Sequence, residues 1–181
     1  MTSGVRGLHH FAYRCRDAEE TRHFYEDVIG LPLVHVIKAD LVPSTGEHCP
    51  YVHIFFRMDD GSHIAFFDLG DDKTTVPDPG TPAWVNHIAL EVADDRELAR
   101  LEANGVEVLG VTDHHFVHSI YFFDPNGFRM EFTARQQVGD YIEQKERSAH
   151  DELREWQIDK AAGRTPLQAR RPPATAPASA E

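Results

Sequence analysis

The sequence lacks several features that mark particular classes of protein. Two of its 181 residues are cysteines, Cys15 and Cys49, and they do not form a C-x-x-C pair. We therefore expect no disulfide framework and two inert thiols in a reducing cytoplasm. After Met1 there is no charged-then-apolar leader, and no apolar run reaches about 18 residues, so the sequence predicts neither secretion by a signal peptide nor a membrane span.

Basic residues are also few. Eighteen Lys and Arg residues stand against 30 Asp and Glu residues, giving a formal net charge of −12 without any basic cluster. Such a surface repels phosphate backbones and anionic lipids, so we expect no nucleic-acid partner and no membrane partner. The length suits one compact domain or two small modules that share a core. The excess of histidine, 12 residues, matters only if some of these side chains converge.

An internal repeat organises most of the chain. In each copy a short alternating strand leads to an aspartate suited to cap a helix, Asp17 or Asp94, with a glutamate three residues later. Gly30 and Gly105 stand where left-handed caps would end these helices. The strands that follow are predicted over Leu33–Lys38 and Val106–Val111, and the hairpin turns over Asp59-Asp60-Gly61 and Pro125-Asn126-Gly127.

Each copy therefore reads βαβββ, and the fold class is α+β, with two paired modules and a C-terminal helix. The predicted boundaries are 1–70 for the first module, 71–83 for a linker and 84–135 for the second module. The C-terminal helix is predicted over 136–163, and 164–181, rich in Pro and Ala, is expected to be a disordered tail.

Aligning the two copies shows which positions correspond. The hairpin glycines stand at 61 and 127, a difference of 66, which pairs Glu131 with Ala65. Aligning the first strands pairs His87 with His10, and each of these histidines lies seven residues before its capping aspartate.

Paired βαβββ modules with a histidine on the first strand of each and a glutamate on the last strand resemble the vicinal oxygen chelate superfamily. This superfamily includes glyoxalase I, methylmalonyl-CoA epimerase, fosfomycin-resistance transferases, bleomycin-binding proteins and type I extradiol dioxygenases. The resemblance covers roughly Gly7 to Arg135. It implies that the curled mixed sheets of the two modules form a cup, and that inward-facing strand positions hold one divalent metal.

A more specific resemblance lies in residues 112–131, TDHHFVHSIYFFDPNGFRME, which look like the type I extradiol dioxygenase signature. His114 and Tyr121 carry the discriminating weight, because an Asp-Pro-x-Gly turn followed by a glutamate is common across the whole superfamily. The resemblance implies an enzyme that cleaves a catechol ring beside the diol with O2. The matching positions are His114, Ile120-Tyr121, Asp124-Pro125, Gly127 and Glu131.

The predicted metal ligands are His10, His87 and Glu131. Two imidazoles and one carboxylate form the facial triad of non-haem Fe(II) oxygenases, so Fe(II) is the expected cofactor, with Mn(II) as an alternative. His9 competes with His10, because adjacent strand residues face opposite ways and only one of the two can point into the cup. The spacing to the capping aspartate selects His10.

Position 65 separates two branches of the superfamily. The glyoxalase and epimerase branches usually supply a fourth ligand there, whereas Ala65 cannot coordinate a metal. Three protein ligands leave about three octahedral positions for two catechol oxygens and dioxygen, which favours oxygenase chemistry over isomerase chemistry. The transferase branch also uses a His, His, Glu set and stays open as an alternative.

Three further side chains are candidates for catalysis. His63 lies two residues before Ala65, on the same side of a regular strand, and could take the second proton of the catechol, as could a water. His114 and Tyr121 would donate hydrogen bonds to the substrate oxygen and to developing negative charge. Strand alternation leaves the direction of three other imidazoles undecided, namely His53, His115 and His118.

The sequence thus predicts a cytoplasmic Fe(II)-dependent extradiol dioxygenase that acts on a small aromatic diol and O2. A homodimer is expected by analogy with small proteins of this fold. Two alternatives stay open. One is a metal-dependent lyase, isomerase or thiol transferase, which would turn over without consuming oxygen, and the other is a metal-free small-molecule binding protein of the drug-resistance type.

Overall fold

A strand, a helix and three further strands occur twice in succession in the computed structural model, which describes residues 4–74, 80–93 and 96–164. The first copy consists of β1 (His10–Arg14), α1 (Ala18–Arg22) with a π-helical continuation (His23–Ile29), β2 (Leu33–Leu41), β3 (His48–Arg57) and β4 (His63–Asp68). The second copy consists of β5 (Ile88–Glu91), α2 (Arg96–Ala103), β6 (Leu109–Asp113), β7 (Val117–Phe123) and β8 (Arg129–Arg135).

Each copy forms one four-stranded sheet. The strand orders are β1-β4-β3-β2 and β5-β8-β7-β6, so the two sheets have the same topology. In each sheet the first strand runs parallel to the last and the other pairs are antiparallel, which makes both sheets mixed. The predicted α+β fold of two βαβββ modules is confirmed.

The strand register confirms the correspondence between the two copies. Ala65 on β4 pairs with Ala12 and Phe55 on its neighbouring strands. Glu131 on β8 pairs in the same way with Ala89 and Tyr121. The offset of 66 derived from the hairpin glycines is therefore the structural offset.

Two strand boundaries differ from the sequence-based expectation. β2 continues to Leu41, because its end still pairs with His48 on β3. β6 begins at Leu109 rather than at Val106, because the Val106 amide donates to the Leu101 carbonyl and belongs to the end of α2.

The N-cap of the first helix at Asp17 and its left-handed end at Gly30 are as the sequence predicts, whereas the capping box predicted for Asp17 and Glu20 does not form. The Asp17 carboxylate accepts a hydrogen bond from the Glu20 amide at 2.7 Å, as an N-cap does. The Glu20 side chain pairs with Arg16 instead of closing a capping box. Gly30 ends the π-helical continuation with φ 93°, in the left-handed region. The corresponding cap at Asp94 lies outside the described residues.

Both modules contribute to one hydrophobic core. Tyr25 on the π-helical segment is fully buried, and its ring lies 5.3 Å from that of Phe56 and 4.9 Å from that of Phe66 on the first sheet. Its hydroxyl lies 3.1 Å from a carboxylate oxygen of Asp124, which follows β7 of the second sheet. The first helix therefore packs between the two sheets and joins them.

The hairpin turn between β7 and β8 is fastened to the first module by Asn126, which is 4% exposed. Its side chain accepts from the Arg16 amide at 2.9 Å and donates to the Thr21 hydroxyl at 3.2 Å. Its carbonyl accepts from the Thr74 hydroxyl at 3.1 Å. These contacts fix the start of β8, two residues before Glu131 on the same strand.

Residues beyond the two modules belong to a separate compact unit, Gln137–Glu181, whose described part contains α3 (Tyr141–Ala161). The helix lies within the predicted range 136–163. Apart from Arg164, the expected disordered tail at 164–181 lies outside the described residues. None of the described helices combines the length and apolar character needed to cross a bilayer.

Candidate metal and substrate site

The side chains that alternate with the core residues form a second face on each sheet, called here the outer face. On the first outer face His10 and His63 are directly paired across β1 and β4. On the second outer face Glu131 and Tyr121 are directly paired across β8 and β7, and His87 immediately precedes β5. The predicted site residues therefore fall on these two faces.

His87 and Glu131 form the best-defined pair of candidate ligands. His87 Nε2 lies 2.9 Å from a carboxylate oxygen of Glu131. The other ring nitrogen of His87, Nδ1, lies 3.2 Å from the Val85 carbonyl oxygen. Glu131 is buried, with 8% of its side chain exposed, whereas the His87 side chain is 34% exposed. The Glu131 carboxylate is thus buried, and the more exposed His87 imidazole lies next to it.

This pair fits a metal ion by the chemistry of its donors. A carbonyl beside Nδ1 favours the tautomer protonated on Nδ1, which leaves a lone pair on His87 Nε2. That lone pair faces the Glu131 carboxylate, an arrangement that is stable only with a proton or a cation between the two groups. Two ligands bound at right angles, each about 2.1 Å from an ion, have donor atoms about 3 Å apart, which matches the observed separation.

Tyr121 and His114 form a second pair on the same face. His114 Nε2 and the Tyr121 hydroxyl lie 2.8 Å apart, within hydrogen-bond distance. Partial burial, together with the neighbouring Glu131 carboxylate, raises the pKa of Tyr121. Tyr121 therefore keeps its proton at neutral pH and can donate a hydrogen bond to a bound oxygen. Four of the six predicted site residues are brought together on the second outer face.

On the first outer face, His10 lies in a group of histidines. His10 is exposed and His63 is half-buried. The expectation that His9 faces away from His10 is wrong: their Nδ1 atoms lie 2.7 Å apart. The reason is that β1 begins at His10, so His9 precedes the strand and does not follow its alternation. Strand alternation therefore cannot decide between these two imidazoles.

His53, whose direction the sequence leaves undecided, is buried on this same face. It is 7% exposed, and its ring stacks on that of Phe67 with centroids 3.6 Å apart. Burial, with smaller contributions from His10 and His35, lowers the pKa of His53 to about 4. Its Nε2 is buried without a hydrogen-bond partner among the described residues. His53 is thus a neutral imidazole with a free ring nitrogen.

The low pKa of His53 predicts a pH-dependent stability. Between pH 6.5 and 4 the unfolded chain binds a proton that folded His53 does not, so the free energy of unfolding falls as the pH drops through this window. The loss attributable to this group is up to about 3 kcal/mol. A His53→Phe variant, which keeps an aromatic ring against Phe67, is expected to lack this part of the loss. Urea denaturation of both proteins from pH 7.5 to pH 4 measures it, and equal losses would contradict the prediction.

His118, another histidine whose direction the sequence leaves undecided, lies on the opposite side of its sheet. His118 alternates with Tyr121 on β7 and therefore lies on the core side of the second sheet. There it lines a cavity of about 380 Å³ beside Leu98, Ile120 and Phe132. His115 lies in the turn between β6 and β7 with φ 72°. Because the cavity and Glu131 lie on opposite sides of the sheet, the cavity is separate from the candidate site.

The predicted triad does not meet within one chain. Among the described residues there is no group of three His, Cys, Asp or Glu side chains placed to hold a metal ion. His87 and Glu131 lie together on the second outer face, whereas His10 lies on the first. Ala65, in the slot corresponding to Glu131, is fully buried and supplies no ligand.

Arg129 belongs to the site and was missed by the sequence analysis. It lies two residues before Glu131 on β8, and its guanidinium carbon lies 4.0 Å from the centroid of the Tyr121 ring. Its Nη1 donates a hydrogen bond to the Trp84 carbonyl at 3.0 Å. The offset of 66 residues between the two modules is a sequence signal that could have identified it, since Arg129 corresponds to His63 of the first module.

Comparison with protein families gives one match that covers most of the chain. The family described as Glyoxalase/Bleomycin resistance protein/Dioxygenase superfamily matches residues 7–132. Two curated relatives are the biphenyl-2,3-diol 1,2-dioxygenases of Paraburkholderia xenovorans (strain LB400) and Metapseudomonas furukawaii. Each is 29% identical over 136 residues, which cover 72% of this chain and 41% of the relative. The chain thus matches about two fifths of the length of these relatives.

Solved structures share the fold at low sequence identity. The antibiotic binding protein TnmS3 from Streptomyces sp. CB03234 is 21% identical, with a TM-score of 0.51 over 75% of this chain and 100% of its own. A glyoxalase/dioxygenase from Nostoc punctiforme is 24% identical, with a TM-score of 0.52 over 74% and 94%. The trypanothione-dependent glyoxalase I of Leishmania major is 17% identical, with a TM-score of 0.57 over 82% and 98%. These likenesses establish the architecture alone, since their chemistries differ.

Proposed function

The chain belongs to the glyoxalase/bleomycin resistance protein/dioxygenase superfamily, and on this basis we propose that it is an Fe(II)-dependent extradiol dioxygenase acting on a catecholic substrate. The observation that carries the proposal is the meeting of the His87–Glu131 pair and the Tyr121–His114 pair on one outer face. The chain is also similar to two biphenyl-2,3-diol 1,2-dioxygenases. Their name specifies an aromatic diol and a dioxygenase reaction, so this similarity supports the same chemistry.

In this proposal His10, His87 and Glu131 hold the iron, and Mn(II) would suit the same donors. Bound Fe(II) supplies coordination positions for both reactants and a path for electrons between them. The fully buried Ala65 adds no fourth ligand, which favours oxygenase over isomerase chemistry. The remaining steps depend on side chains of the protein.

In this proposal a second copy of the chain completes the triad. Both sheets pack against one core, so the two outer faces turn away from it, and His10 does not join His87 and Glu131 among the described residues of one chain. A symmetric homodimer would place the first outer face of one copy against the second outer face of the other, twice. Each of its two sites would then take His10 from one copy and the other two ligands from its partner.

The protein groups around the diol have distinct roles in this proposal. Tyr121, protonated because its pKa is raised, donates a hydrogen bond to a substrate oxygen, and His114 orients the Tyr121 hydroxyl across the 2.8 Å contact. His63 or a water accepts the second proton of the catechol.

Oxygen consumption tests the proposed function. The protein is reconstituted with Fe(II) without oxygen, its metal content is measured, and oxygen uptake is followed after a panel of catechols is added. Uptake with formation of a ring-opened product is expected. Retention of metal without oxygen uptake over a broad panel would contradict the assignment and favour a lyase, isomerase or thiol transferase.

A metal-free small-molecule binding protein is the second candidate function. It is favoured by the same observation that complicates the first, namely that no three candidate ligands meet in the described part of one chain. The two candidates differ in an observable way. A binding protein would take up an aromatic ligand with equal affinity before and after treatment with a chelator, whereas the dioxygenase would not.

Replacing the Tyr121 hydroxyl tests the role of this side chain. A Tyr121→Phe variant is expected to retain metal, since Tyr121 is not a proposed ligand, and to lose about 10- to 100-fold in kcat, since one hydrogen-bond donor to the reacting oxygen is removed. Tyr13→Phe removes the hydroxyl of a tyrosine that is 41% exposed on the core side of β1, and it serves as the control. Full activity of the Tyr121→Phe protein would remove this residue from the mechanism.

A further inference from the structure

Arg129 places a cation next to the proposed substrate position. Its side chain is half-buried on the outer face, two residues before Glu131 on β8. No described carboxylate lies within ion-pair distance of it, although the chain has 30 acidic residues. Arg135 at the other end of the same strand, by contrast, forms two hydrogen bonds of 2.7 Å with Glu91.

The contacts of Arg129 hold its guanidinium in a defined place. Its guanidinium carbon lies 4.0 Å from the centroid of the Tyr121 ring, a cation–π distance, and one N–H donates to the Trp84 carbonyl. A guanidinium has five N–H donors, so others stay available for an anion. The strand register places Arg129 beside His87, one residue before the Ile88–Met130 pair.

From this geometry we infer that Arg129 is a specificity-determining residue that binds a carboxylate substituent on the substrate. A catechol bound against Tyr121 with its diol toward His87 and Glu131 would bring a ring substituent within reach of the guanidinium. A planar guanidinium and a carboxylate match each other in two parallel hydrogen bonds, which gives both affinity and direction. The inference rests on the proposed function and narrows the substrate class to catechols that carry an acid group.

Matched acids and esters test this inference. The probes are 3,4-dihydroxybenzoate and 3-(3,4-dihydroxyphenyl)propionate, each compared with its methyl ester, which keeps the diol and the size but removes the charge. Binding to the Fe(II)-reconstituted full-length chain is measured by isothermal titration calorimetry without oxygen, and turnover is measured separately by oxygen uptake. The binding readout therefore stays informative even if the chain does not consume oxygen.

The wild-type protein is expected to bind at least one acid about 30-fold more tightly than its ester. In Arg129→Gln this preference should disappear, while the affinity for the ester changes less than about threefold. Arg135→Gln is the matched control and should keep the preference, because that arginine is already paired with Glu91. In turnover the loss in Arg129→Gln should appear in KM for the acid.

Three results would overturn the inference. One is equal binding, or no binding, of acids and esters by the wild-type protein. Another is a preference for the acid that persists in Arg129→Gln. The third is an equal loss for acids and esters with a lower kcat, which would mean that Arg129 positions Tyr121 and does not bind the substrate. Binding preference without oxygen uptake would instead support the inference and contradict the proposed function.

Discussion

Replacing Asp124 by alanine is expected to lower the free energy of unfolding by about 3–5 kcal/mol. Asp124 is 5% exposed, and its carboxylate accepts four hydrogen bonds. Two come from the backbone amides of Asn126 and Phe128, at 2.9 and 2.7 Å, one from the Asn126 side chain, and one from the Tyr25 hydroxyl. Alanine would leave the two backbone amides buried without this acceptor, and it would remove the contact of Tyr25 with Asp124, one of the links between the second sheet and the first helix.

An asparagine at position 124 is the matched control for this prediction. Burial raises the pKa of Asp124, because it destabilises the charged carboxylate. The hydrogen bonds to the carboxylate partly offset this effect. The amide oxygen of asparagine can still accept from the two backbone amides, and its NH2 group can donate to Tyr25. Asp124→Asn is therefore expected to lose about 1 kcal/mol, and Tyr25→Phe about 1–2 kcal/mol.

Guanidinium denaturation of the three variants measures these differences as shifts of the midpoint. The order Asp124→Ala, Tyr25→Phe, Asp124→Asn, from the largest loss to the smallest, is the expected result. An alanine variant within about 0.5 kcal/mol of the wild-type protein would contradict the prediction. It would mean that water enters the turn and satisfies the same donors.

The repeat and its register could be predicted from the sequence because local rules determine them. Glycines at equal places in two turns adopt nearly equal angles, φ 84° at Gly61 and 83° at Gly127. Side chains alternate along a strand, so one correct pair in each hairpin fixes all the others. The equivalence of Ala65 and Glu131 follows from these two facts.

Contacts between distant segments could not be predicted in the same way. The π-helical geometry from His23 to Ile29 carries no local signal that separates it from an α-helix. The contact of Tyr25 with Asp124 joins residues 99 positions apart, and it arises because the first helix packs between both sheets. No periodic pattern within either module specifies how the two modules pack together.

The same limit applies to the candidate site. His87, Tyr121 and Glu131 belong to one module, and their proximity follows from its register. The position of His10 relative to them depends on how the modules are arranged, which the duplicated pattern leaves open. Candidate ligands are recognisable in the sequence of both modules, whereas only the structure shows which of them share a face.

Replacing His87 by alanine is expected to abolish metal retention. Loss of groups that merely orient a ligand already weakens metal binding by about 10- to 100-fold, so loss of the ligand itself should exceed about 100-fold. The variant should fold, since the His87 side chain is 34% exposed. His23→Ala is the matched control, because His23 lies 2.8 Å from the Asp27 carboxylate on the helix surface, in a comparable pair outside the site.

Metal content after Fe(II) reconstitution and dialysis, measured together with the circular dichroism spectrum, gives the result. A folded His87→Ala protein that retains as much iron as His23→Ala would contradict the ligand assignment. Retention lost in both variants would indicate that iron binds histidine–carboxylate pairs without selectivity.

Co-expression of a His87→Ala chain with a His10→Ala chain decides whether the triad is completed between two copies. Each variant alone is expected to be inactive and poor in metal. If each site takes His10 from one copy and His87 from the other, a mixed dimer contains one intact site and one that lacks both histidines. Co-expressed chains that pair at random should then recover about a quarter of the wild-type metal content and oxygen uptake.

Co-expression of His87→Ala with Glu131→Ala is the control for this experiment, because both changes fall in the same half of the site and no pairing restores it. Recovery in the first mixture and none in the second would support a triad shared between copies. Absence of recovery in both, with mixed dimers verified by differential tags, would contradict it. The two sheets of one chain would then have to bring His10 to Glu131 by a rearrangement of the core around Tyr25, and Asp124→Ala, which breaks that core, would change metal affinity as well as stability.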